Sequence, residues 1–194
     1  MKVAVLSLSV FVFLAGCAES PIAREQRSAR IVSDYNSIYG PNGAPNRLPY
    51  WQSPHSGVDF GGNFGDAVIA PADGLVVVKD YHNAETCGNG LAIYHGFLPG
   101  YTTYCHLQDV FVQPGREVKR GELIGTLGNS GVARNCRPQC PIVHMELSTA
   151  AWGHPKAKPG ETFDPVQSSD GCFDPDKKYP TDRLVLTYPV RCKN

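Results

Sequence analysis

The six histidines, His55, His82, His95, His106, His144 and His154, are the residues of this chain best suited to bind a metal or move a proton at neutral pH. The first opens the run His55-Ser56-Gly57-Val58-Asp59, and in an extended chain residues 55, 57 and 59 point to one face. An imidazole and a carboxylate then stand side by side. Gly57 leaves the space between them empty, so a metal ion has room to take a His nitrogen and an Asp oxygen at about 2.0–2.2 Å. A second extended run, Pro141 to Leu147, places Ile142, His144 and Glu146 on one face, and His144 is available as a third ligand. Two histidines and one carboxylate, with a fourth position open, form the donor set of a catalytic zinc rather than a structural one. A His-x-x-x-Asp pair taken alone is more often a hydrogen-bonded core or surface pair, so the elements that must hold these residues matter.

Those elements are short strands. β-branched runs occur at Ala67–Ala70, Leu75–Lys79, Leu91–Tyr94, Tyr101–Tyr104, Asp109–Val112 and Glu122–Leu127, each bounded by Gly, Pro, Asn or Asp. Their spacing predicts an all-β, antiparallel sandwich or barrel with long loops. No helical periodicity exceeds a turn or two. Near the end, Leu184, Leu186, Tyr188 and Val190 alternate and predict a last edge strand. The boundaries that follow are a leader over 1–16, a linker and loop over 17–45, a β core over 46–155 and an extension over 156–194 packed on that core.

The 194 residues balance 18 Lys+Arg against 18 Asp+Glu, which removes the positive charge that nucleic-acid binding rests on. Lys2, the apolar run Val3–Leu14 and then Leu14-Ala15-Gly16-Cys17 have the layout of a secretory signal, too short for a permanent span. The same four residues resemble the lipobox of bacterial lipoproteins. That resemblance implies a lipid on Cys17 and attachment to a membrane, and Ala18 after it implies the outer membrane, facing the periplasm. Of seven cysteines the other six are Cys87, Cys105, Cys136, Cys140, Cys172 and Cys192, an even number that in an exported chain reads as disulfides. Cys136 and Cys140 are expected in a bridge, internal or to Cys87. Cys172 and Cys192 look like partners, worth about 3 kcal/mol in the chain-entropy picture. Cys105 points to the opposite side of its strand from His106, which argues against a catalytic thiol.

From His55 to about Leu147 the chain resembles the lysostaphin-like (LytM-type) zinc endopeptidases of bacterial cell walls. The resemblance lies in His55-Ser56-Gly57-Val58-Asp59, Val68-Ile69-Ala70-Pro71-Ala72-Asp73-Gly74, Gly88-Asn89-Gly90-Leu91-Ala92-Ile93-Tyr94-His95-Gly96, Gly100-Tyr101-Thr102-Thr103-Tyr104-Cys105-His106-Leu107, Val118-Lys119-Arg120-Gly121-Glu122-Leu123-Ile124-Gly125 and His144-Met145-Glu146. It implies a lysostaphin-type core akin to lipoyl-like hybrid barrels, Zn²⁺ held by His55, Asp59 and His144, and His106 as the catalytic partner. Peptidoglycan is the implied substrate, with another cell-wall hydrolase as a partner in the regulatory alternative. One position departs from the pattern: the family's final His-x-His has Ile142 in place of its first histidine. His82, His95 and His154 are candidates to replace it, although His95 matches a position that is structural in the family. Tyr101, Tyr104 and the loops around Asn83 and Arg134 are expected groove walls. Lipoyl-like and sugar-phosphotransferase barrels share the Ala70–Gly74 and Val118–Glu122 turns, but work in the cytoplasm, and the export signal sets them aside.

Overall fold

The computed structural model describes residues 29–42, 55–79, 85–136, 139–151 and 161–192. Ten strands run through them: β1 (Arg30–Ser33), β2 (Val58–Gly61), β3 (Ala67–Ile69), β4 (Gly74–Lys79), β5 (Asn89–Tyr94), β6 (Tyr101–Leu107), β7 (Glu117–Val118), β8 (Leu123–Thr126), β9 (Ile142–Ser148) and β10 (Thr162–Phe163). Among the described residues there is no α-helix, only a 3-10 turn at Gly131–Asn135. The larger sheet has the order β1-β2-β9-β6-β5-β4-β7, with β10 pairing β9 beyond the end of β2, and β3 pairs β8 in a second sheet. Every ladder is antiparallel. The all-β antiparallel fold expected from the strand spacing is therefore the one observed.

Alternation divides the large sheet into two faces. Val58, Phe60, Ile93, Tyr104, Val143, Met145 and Leu147 turn to one side and bury themselves against Val68, Ile124 and Leu127 of the β3–β8 layer and against Leu186 and Val190 of the C-terminal segment. Truncating one such side chain to Ala costs roughly 2–5 kcal/mol. The other face carries Asp59, His144, Glu146 and Cys105. β9 is buried over all seven residues, so its polar face is covered as well as its apolar one.

Three expectations need correction. Arg30–Ser33, assigned above to the linker, is β1 and pairs with β2. Asp109–Val112 is not a strand; it makes one bridge, Val110 to Gly125. The alternating segment Leu184–Val190 buries Leu186 and Val190 as its pattern requires, yet it makes only single bridges, Ser169 to Leu186 and Val68 to Val190. Pro189 explains the failed ladder there, because it has no N–H to give, and its carbonyl instead accepts the Ile69 N–H at 2.7 Å.

The extension beyond 156 packs on the core where it is described. Arg120 is its bolt: the guanidinium donates to the carbonyls of Pro71 and Val185 and lies 4.0 Å from the centre of the Tyr179 ring. Cys172 and Cys192 are joined, as are Cys136 with Cys140 and Cys87 with Cys105. Cys17 lies outside the described residues.

Candidate metal centre

β2 and β9 are neighbours, and their register sets Asp59 directly opposite His144. Both side chains leave the sheet on the same face. His55 sits at the entrance to β2, and its ring tilts over His144 with 4.9 Å between centroids. Three donor atoms converge. His144 Nδ1 lies 3.0 Å from Asp59 Oδ1 and 3.0 Å from His55 Nε2, and His55 Nε2 lies 3.3 Å from Asp59 Oδ1. A tetrahedral zinc with bonds of about 2.0–2.1 Å holds neighbouring ligand atoms about 3.3 Å apart. The triangle of atoms is thus close to one face of such a tetrahedron.

Tautomers support the fit. The Nδ1 of His55 faces the Asp34 carbonyl at 2.8 Å, which can only accept, so Nδ1 carries the hydrogen and Nε2 keeps its lone pair for a metal. Ser33 Oγ, 3.2 Å from the same nitrogen, gives its own proton to the Tyr39 carbonyl and is likewise an acceptor here. Asp59 is fully enclosed; burial alone would raise its pKa, but the hydrogen bonds and charges of His144 and His55 overturn this and hold it ionised well below the usual carboxylate range. For His55 burial pulls downward and the Asp59 carboxylate more than compensates, leaving its pKa raised. A carboxylate kept charged among imidazoles is what a cation would find. At Gly57 a Cβ would stand 2.4 Å from the Met145 carbonyl oxygen and 2.8 Å from His144 Cε1, so what the glycine makes room for is β9 and the His144 ring.

His106 closes the site from β6. Its ring centroid is 6.1 Å from that of His144. Its Nδ1–H is donated to the Ser130 carbonyl at 3.0 Å, which leaves Nε2 as the basic atom. Burial pushes its pKa down to about 4, so the ring is a neutral proton acceptor at pH 7. The residue has φ +68°, a left-handed conformation uncommon outside glycine. Neighbouring loops hold it: the His106 N–H is donated to the Cys87 carbonyl at 2.8 Å, and the Cys87–Cys105 disulfide ties that loop to the preceding residue of β6. Gly88 and Gly131 pack backbone to backbone beside it, where a Cβ on Gly131 would meet the Thr86 carbonyl oxygen at 2.3 Å.

Other expected residues fall elsewhere. Ile142 shares the face of His144 and is 3% exposed, so an apolar side chain fills the position of the departing histidine. His95 is no replacement: it is buried between the Asp73 carbonyl and the Thr102 hydroxyl, each 2.7 Å away, where Thr102 belongs to the core side of β6. His82, His154 and Asn83 lie outside the described residues. Tyr101 is half-buried and its ring meets that of Tyr94 at 4.9 Å, but Tyr104 is fully buried with its hydroxyl on Thr102 and cannot be a groove wall. Arg134 is exposed on the 3-10 turn. The orienting acceptors, the carbonyls of Asp34 and Ser130, were missed because a backbone carbonyl has no signature in sequence.

The sequence profile of Peptidase family M23 matches residues 53–157. A Haemophilus influenzae protein described as an uncharacterized metalloprotease is 38% identical over 135 residues, covering 68% of this chain and 25% of its own length. The Vibrio cholerae peptidoglycan DD-endopeptidase ShyA is 38% identical over 95 residues, 49% of this chain and 20% of that one. The murein hydrolase activator NlpD of Escherichia coli is 35% identical over 81 residues, 41% of this chain and 20% of that one. This chain thus spans a quarter or less of each of these relatives. Among solved structures, the catalytic domain of lysostaphin from Staphylococcus simulans superposes with a TM-score of 0.55 at 24% identity, over 72% of this chain and 90% of that one. At that identity the likeness is one of fold.

Proposed function

The chain belongs to peptidase family M23, and from that premise we propose that it is a zinc-dependent endopeptidase acting on the peptide cross-links of peptidoglycan. The observation that carries this is the convergence of His55, Asp59 and His144, all buried, with His106 beside them presenting an unprotonated Nε2. Zinc held by His55, Asp59 and His144 would supply Lewis acidity toward a carbonyl oxygen and a nucleophile at neutral pH. The protein's part is to hold His106 neutral, with its Nδ1 proton committed to Ser130, so that Nε2 takes up a proton from the nucleophile and can return it to the leaving amine. Cys17 is proposed to carry a lipid that holds the domain at the outer membrane, facing the periplasm. The test is zinc content of the purified protein together with digestion of isolated peptidoglycan. A protein without zinc, or a zinc-loaded one releasing no cross-link products, would sink the enzyme reading.

Ile142 favours a second reading, in which the domain binds peptidoglycan and regulates another wall hydrolase; the likeness to a murein hydrolase activator points the same way. A general acid or base missing from a site lowers rate by about 10²–10⁴. Ile142→His separates the two. A large gain from a nearly inert protein identifies the regulator, whereas turnover by the native protein with little gain identifies the enzyme.

A further inference from the structure

Two residues beyond His144 on β9, and so about 7 Å along the same face, stands Glu146. It is not one of the converging metal-ligand residues. The residue is 8% exposed, the same as His144, and its carboxylate receives one hydrogen bond among the described residues, from the Ser56 hydroxyl at 2.7 Å. No Lys or Arg among those residues pairs with it, and its described electrostatic partner is the His55 imidazole. Directly across the ladder on β6 is Thr103, 1% exposed, whose hydroxyl is buried with no hydrogen-bond partner. Opposite residues of an antiparallel pair share a face, with Cβ atoms about 5 Å apart. A nearly enclosed anion with one neutral donor and an unsatisfied hydroxyl therefore adjoin each other, next to the metal ligands.

Buried charges in proteins are paired, and buried hydroxyls are bonded. Beyond the Ser56 hydrogen bond the carboxylate has no further donor, the Thr103 hydroxyl has no partner, and a carboxylate can only accept. A primary ammonium group brings three donors and a positive charge. We propose that Glu146, oriented by Ser56 and adjoined by Thr103, forms a subsite for a protonated primary amine of the peptide substrate. Ser56 fixes the carboxylate by its hydrogen bond, and its place between the ligand His55 and Gly57 ties the subsite to the metal centre. A peptide whose amine occupies it is thereby registered against His144 and His106. Peptides that carry an acyl group or no amine at that point leave the carboxylate unpaired and are bound more weakly.

The inference rests on the peptide-substrate reading, and binding separates the two. The probes are a cross-linked stem-peptide dimer with one free amino group and the same dimer with that amine acetylated, titrated by calorimetry into the zinc-loaded full chain. Cleavage of both is followed in parallel. A charge-assisted hydrogen bond predicts that the free amine binds about ten- to hundredfold more tightly. Glu146→Gln, nearly isosteric, removes that preference while zinc content stays at the wild-type level, and Ser56→Ala reduces it. Equal affinity of the wild type for the two peptides overturns the proposal. So does a Glu146→Gln protein that keeps the preference, or one that loses its zinc. Amine-dependent binding with no cleavage of either peptide leaves the subsite standing and overturns the peptidase reading. Cleavage of both peptides with no amine preference does the reverse.

Discussion

The Nδ1–H of His106 is committed to the carbonyl of Ser130, 24 residues away in sequence and 3.0 Å away in space. One hydrogen bond decides which ring nitrogen can act as a base. The carbonyl is in turn fixed by the loop that carries it, since the Ser130 N–H is donated to the His106 carbonyl and the Ser130 hydroxyl accepts the Asn89 N–H.

Gly131→Ala tests this arrangement without touching a ligand. At φ +63° and with the Thr86 carbonyl in the way, the loop must shift and carry the Ser130 carbonyl with it. The expected outcome is a fall in kcat with full zinc content, smaller than the roughly 10²–10⁴ loss expected for His106→Ala. Wild-type kcat in Gly131→Ala would show that the Ser130 contact does not orient the ring.

Gly57→Ala acts on the other side. Its Cβ would press on the His144 ring and the Met145 carbonyl, and β9 is clamped between β2 and β6, so the imidazole must turn. Displacing the support of a metal ligand weakens affinity by about 10–100-fold. Zinc titration against a chromophoric chelator reads this directly. An unchanged affinity, with circular dichroism showing an intact fold, would mean that the space kept by Gly57 serves no ligand.

The pH dependence of stability carries the mark of His95. Burial lowers its pKa most, the hydrogen bond to the Asp73 carbonyl opposes this, and the Arg120 charge adds to the lowering, with the result pushed down to about 4. An unfolded chain protonates this ring near pH 6.5, so between about 6.5 and 4 the unfolded state binds more protons and stability falls with falling pH. Above about 6.5 the effect vanishes. The full span is worth about 3 kcal/mol. Urea unfolding across pH 4–7 should give a shallower slope for His95→Gln than for the wild type, and parallel slopes would contradict the assignment.

Arg120 should behave as the fastener of the C-terminal segment. Arg120→Ala is expected to destabilise the protein by on the order of 2 kcal/mol, because the Pro71 and Val185 carbonyls lose a charged donor and Tyr179 loses the nearer of its two cations. Arg120→Lys should not restore it, since an ammonium cannot fork to Pro71 and Val185 while stacking on a ring. Full rescue by lysine in denaturant titrations would reduce the contact to simple charge.

The grouping of His55, Asp59 and His144 was legible because a two-residue period turns sequence spacing into a shared face, whereas His106 came from the family motif alone, since the strand period sets it on the face opposite Cys105. What stayed hidden follows from physics that composition does not carry. β1 is four residues in a polar stretch, and its strand character comes from pairing with Phe60 and Gly61 rather than from its own pattern. Asp109–Val112 has strand-like side chains, but its hydrogen bonds go to the edge of β8 one bridge at a time. The left-handed backbone of His106 is imposed by the Cys87 and Ser130 loops, both distant in sequence.

β1 gives the N-terminal arm a part in the chemistry. The chain leaves that strand at Ser33, and the next residue's carbonyl is what fixes the His55 tautomer. If the site holds zinc as proposed, docking of the arm and capture of the metal are linked equilibria: each stabilises the other by the same free energy, whichever happens first. A protein whose amino-terminal segment is pulled away from β2 gives up metal affinity, and one that holds its metal grips its own amino-terminal arm more tightly.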